Sequence, residues 1–133
     1  MHAHKHHAHA AERIAEMPVN EVAALLEVGE IILIDVREPS EYAVERIHGA
    51  LLYPLSTFDP RMLPDDRKHR IILHCGSGKR SAMAAQKCID AGAARFTHMV
   101  GGIGAWKAAG LPVIRIDPAS GRVIDAPHAK GIR

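Results

Sequence analysis

Short apolar runs alternate with amphipathic segments along the chain. The runs 31–34 and 71–73 are continuous and mostly β-branched, which is typical of strands buried on both faces of a sheet. Apolar residues recur at helical spacing in 22–28, and residues 81–91 are rich in Ala, Met, Gln and Lys, which favour helix. The same reasoning predicts a short helix at 40–44, strands at 51–53 and 96–100, and a last helix at 103–109.

This order of elements predicts the fold class. Strands that alternate with helices form a parallel sheet covered by helices on both faces. We therefore expect a three-layer α/β/α domain with a central, mostly parallel sheet of about five strands. The domain is expected to span residues 12–116, followed by an irregular tail at 117–133 that has few apolar clusters.

A His-rich segment precedes the predicted domain. Five of the ten histidines lie within the first ten residues, and residues 1–11 have no apolar face to bury. We expect this segment to be a disordered tail, either a purification tag or a solvated native sequence. Metal binding is the alternative, because imidazole binds zinc, copper and nickel.

Composition excludes several classes of partner. The formal net charge of +2 is too small to indicate nucleic-acid binding or attachment to an anionic membrane. No apolar run approaches the roughly 20 residues that span a bilayer. Two cysteines without metal-type spacing do not form a disulfide framework, so we expect a reducing compartment, the cytoplasm. We also expect the protein to be a monomer.

The segment 74–81, His-Cys-Gly-Ser-Gly-Lys-Arg-Ser, carries the candidate chemistry. It joins the end of a buried strand to the start of a helix, where parallel sheets bind ligands. Its two glycines let the backbone turn its N–H groups inward, and a thiol in such a ring ionises more readily than a free one, whose pKa is about 8.5. We expect Cys75 to be the nucleophile at the base of a shallow pocket. The candidate substrate-binding residues are Gly76, Ser77, Gly78, Lys79, Arg80 and Ser81. A loop of this kind could also bind phosphate.

Four segments, in the same order, resemble the signatures of the rhodanese-like family. They are 34–42, 47–50, 75–81 and the pair 101–106 with 109–113. The resemblance implies a persulfide on Cys75 that carries sulfur from a small anionic donor such as thiosulfate to a thiol, cyanide or protein acceptor. It implies no metal and no organic cofactor. It also implies that Asp35 and Arg37 are structural supports near the site.

The sequence departs from the family pattern at three places. Glu45 and Arg46 stand where many members have Gly-His, and Glu41 stands where some two-domain sulfurtransferases have a substrate-binding Arg. The start of the loop, Cys-Gly-Ser-Gly, resembles 3-mercaptopyruvate sulfurtransferases, whereas Lys79 and Arg80 resemble small bacterial rhodaneses. The identity of the donor therefore stays open.

Two other functions compete with thiosulfate sulfurtransfer. Rhodanese-like phosphatases use a similar loop with five residues between Cys and Arg, whereas four residues separate Cys75 from Arg80. A ring of that size better suits one sulfur atom than a phosphate. The other alternative is a rhodanese module that binds a partner or relays sulfur to a protein acceptor. We expect His74, Cys88 and Trp106 to be packing residues.

Overall fold

The computed structural model describes residues 13–125. The strands are β1 (Ile14–Met17), β2 (Ile31–Asp35), β3 (Glu45–Arg46), β4 (Leu51–Leu52), β5 (Arg70–His74), β6 (Phe96–Met99), β7 (Ile114–Ile116) and β8 (Val123–Asp125). The α-helices are α1 (Val19–Glu27), α2 (Pro39–Val44), α3 (Lys79–Asp90) and α4 (Gly102–Ala108). Two 3₁₀ turns, Leu55–Thr57 and Pro60–Met62, lie between β4 and β5.

The central sheet has five strands in the order β1-β6-β5-β2-β4, and every neighbouring pair is parallel. The continuous apolar runs form β2 and β5, which lie inside the sheet and have partners on both sides. Ile72 and Leu73 of β5 are completely buried, as expected for a strand covered on both faces. The predicted fold class is confirmed.

Helices cover both faces of this sheet and create two cores. On one face, α1 and α4 bury Val22 and Trp106 against Leu33 and Ile72. On the other face, α3 and the first 3₁₀ turn pack around a second cluster that includes Leu73 and Cys75. The candidate nucleophile, Cys75, therefore directly follows a strand that packs against both cores.

A second, antiparallel sheet lies outside the central one, in the order β3-β7-β8. The expectation that the chain is irregular from Asp117 is wrong for the part that the structure describes. Asp117 begins a tight turn in which its N–H donates to the carbonyl of Arg122 at 2.8 Å, and β8 then pairs with β7. The pattern concealed this strand because Val123 and Ile124 are both 58% exposed and contribute little to a core.

Strand β1 was also absent from the predicted elements. It has only four residues at the edge of the sheet, and one of them, Met17, is buried. Its pairing with β6 begins at Ile14, so the ordered sheet starts soon after the His-rich segment. Residues 1–12, including the proposed His-rich tail, and residues 126–133 lie outside the described part of the chain. Within residues 13–125, no helix is long and apolar enough to cross a membrane.

Candidate active site

The loop that follows β5 closes around the sulfur of Cys75. Strand β5 ends at His74 and helix α3 begins at Lys79, so only four residues make the connection. Gly78 caps the helix with φ = +105° in the left-handed region. A Cβ at Gly78 would also lie 3.2 Å from the backbone nitrogen of Gly101. Only glycine fits this position without strain, which explains its place in the loop.

Two N–H donors and one hydroxyl, from the loop and the first helical turn, surround the sulfur. The N–H groups of Gly78 and Ser81 donate to Sγ at 3.1 and 3.3 Å, and the Ser81 hydroxyl lies 3.6 Å from it. Burial alone would raise the pKa of the Cys75 thiol. Hydrogen bonds from the Ser81 hydroxyl and from the N–H groups of Ser81, Gly78 and Ser77 outweigh burial, so the pKa lies below its ordinary value.

The expected shallow pocket is not present above Cys75. The residue is completely buried, with 0% of its surface exposed, while Ser77 and Lys79 of the same loop are exposed and Gly76 is half-buried. The expectation failed because the sequence shows that a ring of donors can form but not how tightly it closes.

Arg80 is engaged by a carboxylate from another element. Its guanidinium donates to both Glu41 oxygens, at 2.7 and 3.1 Å, which links α3 to α2. The hydrogen bond from Arg80 lowers the pKa of the Glu41 carboxyl to about 2. Both side chains are about one-third exposed, at 35% and 38%. The sequence predicted Arg80 as a substrate-binding residue, and in the structure Glu41 neutralises much of its charge.

Asp35 and Arg37 form a buried fork. The Arg37 guanidinium donates to both Asp35 oxygens at 2.8–3.1 Å, and the two residues are 4% or less exposed. Arg37 also donates to the backbone carbonyl of Glu45 at 2.6 Å. The fork thus joins the end of β2 to the second sheet, which is a geometry suited to the expected supporting role.

His74 lies beside this fork and not beside the thiol. Its Nε2 is 3.5 Å from an Asp35 oxygen, and its Nδ1 is 3.2 Å from the backbone carbonyl of Cys75. Burial lowers the pKa of the His74 ring, with partial opposition from Asp35. Neither ring nitrogen contacts the sulfur, so the histidine occupies a packing position at the end of the strand.

Helix α4 supports the loop from the opposite side. The N–H of Ile103 donates to the carbonyl of Cys75 at 2.8 Å, and the N–H of Gly104 donates to the carbonyl of Gly76 at 3.0 Å. Gly102 allows this approach, because a Cβ there would collide with the Cys75 carbonyl and lie 2.6 Å from the Gly76 carbonyl carbon. In the sequence, these glycines stand out only as part of a family signature. Trp106 packs as expected and donates to the carbonyl of Pro112 at 2.8 Å.

His98 is a residue of the site that sequence reasoning missed. It lies on β6, is 3% exposed, and places its Nδ1 2.8 Å from the Ser81 hydroxyl. The available signal was a histidine within a predicted strand. Within residues 13–125, no group of three or more His, Cys, Asp or Glu side chains could hold a metal ion. Cys75 and Cys88 are both free thiols.

The fold and the site together define a class of protein: an α/β domain in which a cysteine at the end of a central strand is held by a loop that opens a helix. Sequence comparison identifies that class more closely. The model of the rhodanese-like domain matches residues 18–109. The chain therefore belongs to the rhodanese-like family.

Individual relatives agree with this assignment. A sulfurtransferase of Allochromatium vinosum is 35% identical over 92 residues, which cover 68% of this chain and 84% of the relative. An uncharacterized protein of Synechocystis is 42% identical over 85 residues, and the match spans only 48% of that protein. Among solved structures, a thiosulfate sulfurtransferase from Pseudomonas aeruginosa superposes with a TM-score of 0.66 at 28% identity, covering 80% of this chain and 21% of that one.

Proposed function

We propose that this protein is a sulfurtransferase that carries sulfane sulfur as a persulfide on Cys75. The observation that carries the proposal is the hydrogen-bonded environment of the Cys75 thiol. Its pKa is lowered by the Ser81 hydroxyl and by loop N–H groups against the effect of burial. A thiolate stabilised in this way is a nucleophile near neutral pH, and the same donors suit the terminal sulfur of a persulfide.

The proposed reaction proceeds in two covalent steps. The Cys75 thiolate attacks the outer sulfur of thiosulfate, the S–S bond of the donor breaks, and sulfite leaves with the bonding electron pair. An acceptor such as cyanide then attacks the outer sulfur of the persulfide, forms thiocyanate and returns the electron pair to the Cys75 thiolate. No net oxidant or reductant is consumed, and the scheme needs no metal or organic cofactor.

The loop residues have separate roles in this proposal. Gly76, Ser77 and Gly78 provide the backbone that binds the transferred sulfur, and Ser81 donates to it from the first turn of α3. Lys79 is exposed and Arg80 is partly exposed, so both can meet an anionic donor. Asp35 and Arg37 keep the end of β2 in place beside the loop.

The physiological acceptor is proposed to be a thiol or a protein, with cyanide as its laboratory substitute. A protein acceptor is the variant of this proposal in which the domain relays sulfur to a partner. Both free thiols suit a reducing compartment, so we place the reaction in the cytoplasm.

The decisive experiment measures turnover with thiosulfate and 3-mercaptopyruvate as rival donors and cyanide as acceptor. We expect thiosulfate to add one sulfur, about 32 Da by atomic mass, to the peptide that contains Cys75. Cys75→Ser abolishes this adduct, because a hydroxyl is not ionised near neutral pH. Cys88→Ala is the matched control and retains turnover, because burial raises the pKa of Cys88 to about 12 and keeps that thiol protonated.

One outcome would contradict the proposal, and a second would select its protein-acceptor variant. Hydrolysis of phosphate esters without a sulfur adduct would replace sulfur transfer with phosphatase activity. An adduct on Cys75 that no small acceptor removes, but that moves to proteins in a cell extract, would replace the small-molecule enzyme with the protein relay.

A further inference from the structure

The burial of Cys75 raises the question of where its proton goes. The side chain has no exposed surface, so bulk water does not contact the thiol. A thiol must lose its proton before it can act as a nucleophile, and proton transfer needs a continuous set of hydrogen-bonding groups. The structure contains a set of such groups that leads from the sulfur through Ser81 to His98, whose far ring nitrogen faces an exposed carboxylate across 3.9 Å.

Three side chains form this path. The Ser81 hydroxyl lies 3.6 Å from the Cys75 sulfur and 2.8 Å from Nδ1 of His98. On the far side of the ring, Nε2 of His98 lies 3.9 Å from a carboxylate oxygen of Glu16. The His98 side chain is 4% exposed and the Glu16 side chain is 64% exposed, so the path begins in the interior and ends in water.

Backbone pairing in the central sheet fixes the relative positions of His98 and Glu16. His98 is on β6, where it pairs in register with Glu16 of the edge strand β1 and with Leu73 of β5. Ser81 is in the first turn of α3, the helix that covers this face, and its N–H is bound to the sulfur. The serine and the histidine are therefore held by backbone contacts independent of their own hydrogen bond.

We propose that Ser81 and His98 form a proton relay that deprotonates Cys75 and delivers the proton to solvent past Glu16. The thiol proton moves to the Ser81 oxygen as the Ser81 hydroxyl proton moves to Nδ1 of His98. The electron pair of the S–H bond stays on sulfur. His98 then releases the proton on Nε2 to water beside Glu16, and its remaining Nδ1–H donates to Ser81, which donates to the thiolate.

The other groups around the relay are compatible with this direction of transfer. Burial lowers the pKa of His98, with partial opposition from Glu16, so the resting ring is neutral and its Nδ1 can accept a hydrogen bond. Arg80 on α3 favours a negative charge on Cys75 by electrostatic attraction. His74 on β5 directs its ring at Asp35 and at a backbone carbonyl. The carbonyl of Gly78, 3.2 Å from the Ser81 hydroxyl, is a competing acceptor that is farther away than His98.

The relay is tested by the pH dependence of Cys75 alkylation with iodoacetamide, in a Cys88→Ala background. This readout needs only that Cys75 be the reactive thiol, so it can fail or succeed independently of the proposed sulfur transfer. In Ser81→Ala the thiolate loses the hydroxyl that stabilises it, and in His98→Asn that hydroxyl loses the ring that orients it. We therefore expect the apparent pKa of alkylation to rise by about one unit in both variants, which lowers the rate near neutral pH about tenfold.

Thr97→Val is the matched control, because Thr97 is the neighbouring buried polar residue on β6 and its hydroxyl contacts Arg70. We expect its alkylation profile to equal that of the parent protein. The double variant Ser81→Ala with His98→Asn should be no slower than either single variant, because both substitutions break the same path. Additive losses would mean independent structural effects and would overturn the relay, as would an unchanged profile in His98→Asn.

Glu16→Gln provides a variant whose folding is not at risk, since its side chain is mostly exposed. We expect a shift of its alkylation profile in the same direction as His98→Asn but smaller, and expect high salt to remove the difference because salt screens an exposed charge. A Glu16→Gln profile that moves in the opposite direction contradicts the assigned exit.

Discussion

Arg80 lies in the first turn of α3 beside the Cys75 loop, and its hydrogen bonds to Glu41 neutralise part of its charge. The pKa of Arg80 is raised mainly by its hydrogen bond to Glu41 and less by the charge on Cys75. At position 41 some two-domain sulfurtransferases have an Arg that binds substrate, so this chain replaces a cation by an anion there. The pair therefore reduces the attraction of the site for a dianion.

Removal of the Glu41 carboxylate should increase kcat/KM for thiosulfate. Glu41→Gln frees Arg80, and we expect kcat/KM for thiosulfate to rise about two- to fivefold, since partly exposed ion pairs have modest energies. The rise should be smaller for 3-mercaptopyruvate, which carries one negative charge, and smaller at high salt. Steady-state assays with both donors provide the measurement.

Asp65→Asn is the matched control for Glu41→Gln. Asp65 also forms a fork with an arginine, Arg67, and it is more than half exposed in another segment of the chain. The substitution Asp65→Asn removes one negative charge at a position outside the Cys75 loop, so kcat/KM for thiosulfate should stay at the parent value. A fall in kcat/KM with both donors in Glu41→Gln would show that Glu41 holds Arg80 in a productive position and does not restrain it.

The Glu41–Arg80 pair also has a defined pH range. The pKa of Glu41 falls from 4.5 to about 2, so the stabilisation is fully present above pH 4.5 and is lost as pH falls towards 2. The pair therefore stays ionised throughout the neutral pH range in which turnover is measured. Over that range, the pH dependence of turnover should report the state of Cys75 and its relay.

At the scale of elements, the approach of α4 to the loop determines whether the ring of donors can form. Gly102→Ala forces a Cβ into the Cys75 carbonyl at φ = +61°. We expect a loss of more than about 1–3 kcal/mol in the free energy of unfolding, the usual cost of a strained backbone alone, and a loss of turnover. Urea denaturation and steady-state assays measure the two effects.

Gly110→Ala measures the cost of backbone strain alone, without the steric collision that Gly102→Ala produces. Gly110 has a similar left-handed backbone at φ = +78°, but nothing lies within 4 Å of its Cβ position. Its substitution should show only the backbone cost, of order 1 kcal/mol, and leave turnover unchanged. Equal effects of the two substitutions on turnover would mean that the contact between α4 and the loop does not shape the site.

The sequence predicted the elements that bury many apolar side chains. Strands β2 and β5 were recognisable because their side chains are apolar on both faces, and α3 because its residues favour helix. Strands β1 and β8 were not recognisable, since each is short, lies at a sheet edge and exposes side chains. Backbone hydrogen bonds to a neighbouring strand do not require apolar side chains, so they cannot be predicted from the hydrophobic pattern.

The candidate site was predictable only where it is local. The residues of the loop are contiguous, so the sequence indicated Cys75 and its ring of N–H donors. The contacts of Arg80 with Glu41 span 39 positions, and those of Ser81 with His98 span 17. Such contacts depend on which strands are neighbours in the sheet, which the order of elements alone does not specify.

At the scale of the whole molecule, the small second sheet connects the C-terminal residues to the site. Strand β7 pairs with β3, and the carbonyl of Glu45 in β3 accepts a hydrogen bond from Arg37. Arg37 in turn holds Asp35 at the end of β2. The proposed domain boundary at 116 would keep β7 and remove β8, so nested truncations can show where the functional unit ends.

We expect a chain that ends at Ile116 to keep its turnover. The truncation removes β8, which pairs only with β7 and exposes its Val and Ile side chains, so the free energy of unfolding should fall by about 1 kcal/mol.

A chain that ends at Val113 also removes β7 and leaves β3 without a partner strand. It should lose at least twice as much stability and show slower turnover, because the Glu45 carbonyl no longer has a fixed position for Arg37. Urea denaturation and steady-state assays of both truncated chains test this expectation. Equal turnover in the two chains would mean that the second sheet does not support the site, and loss of turnover at Ile116 would place the boundary beyond β8.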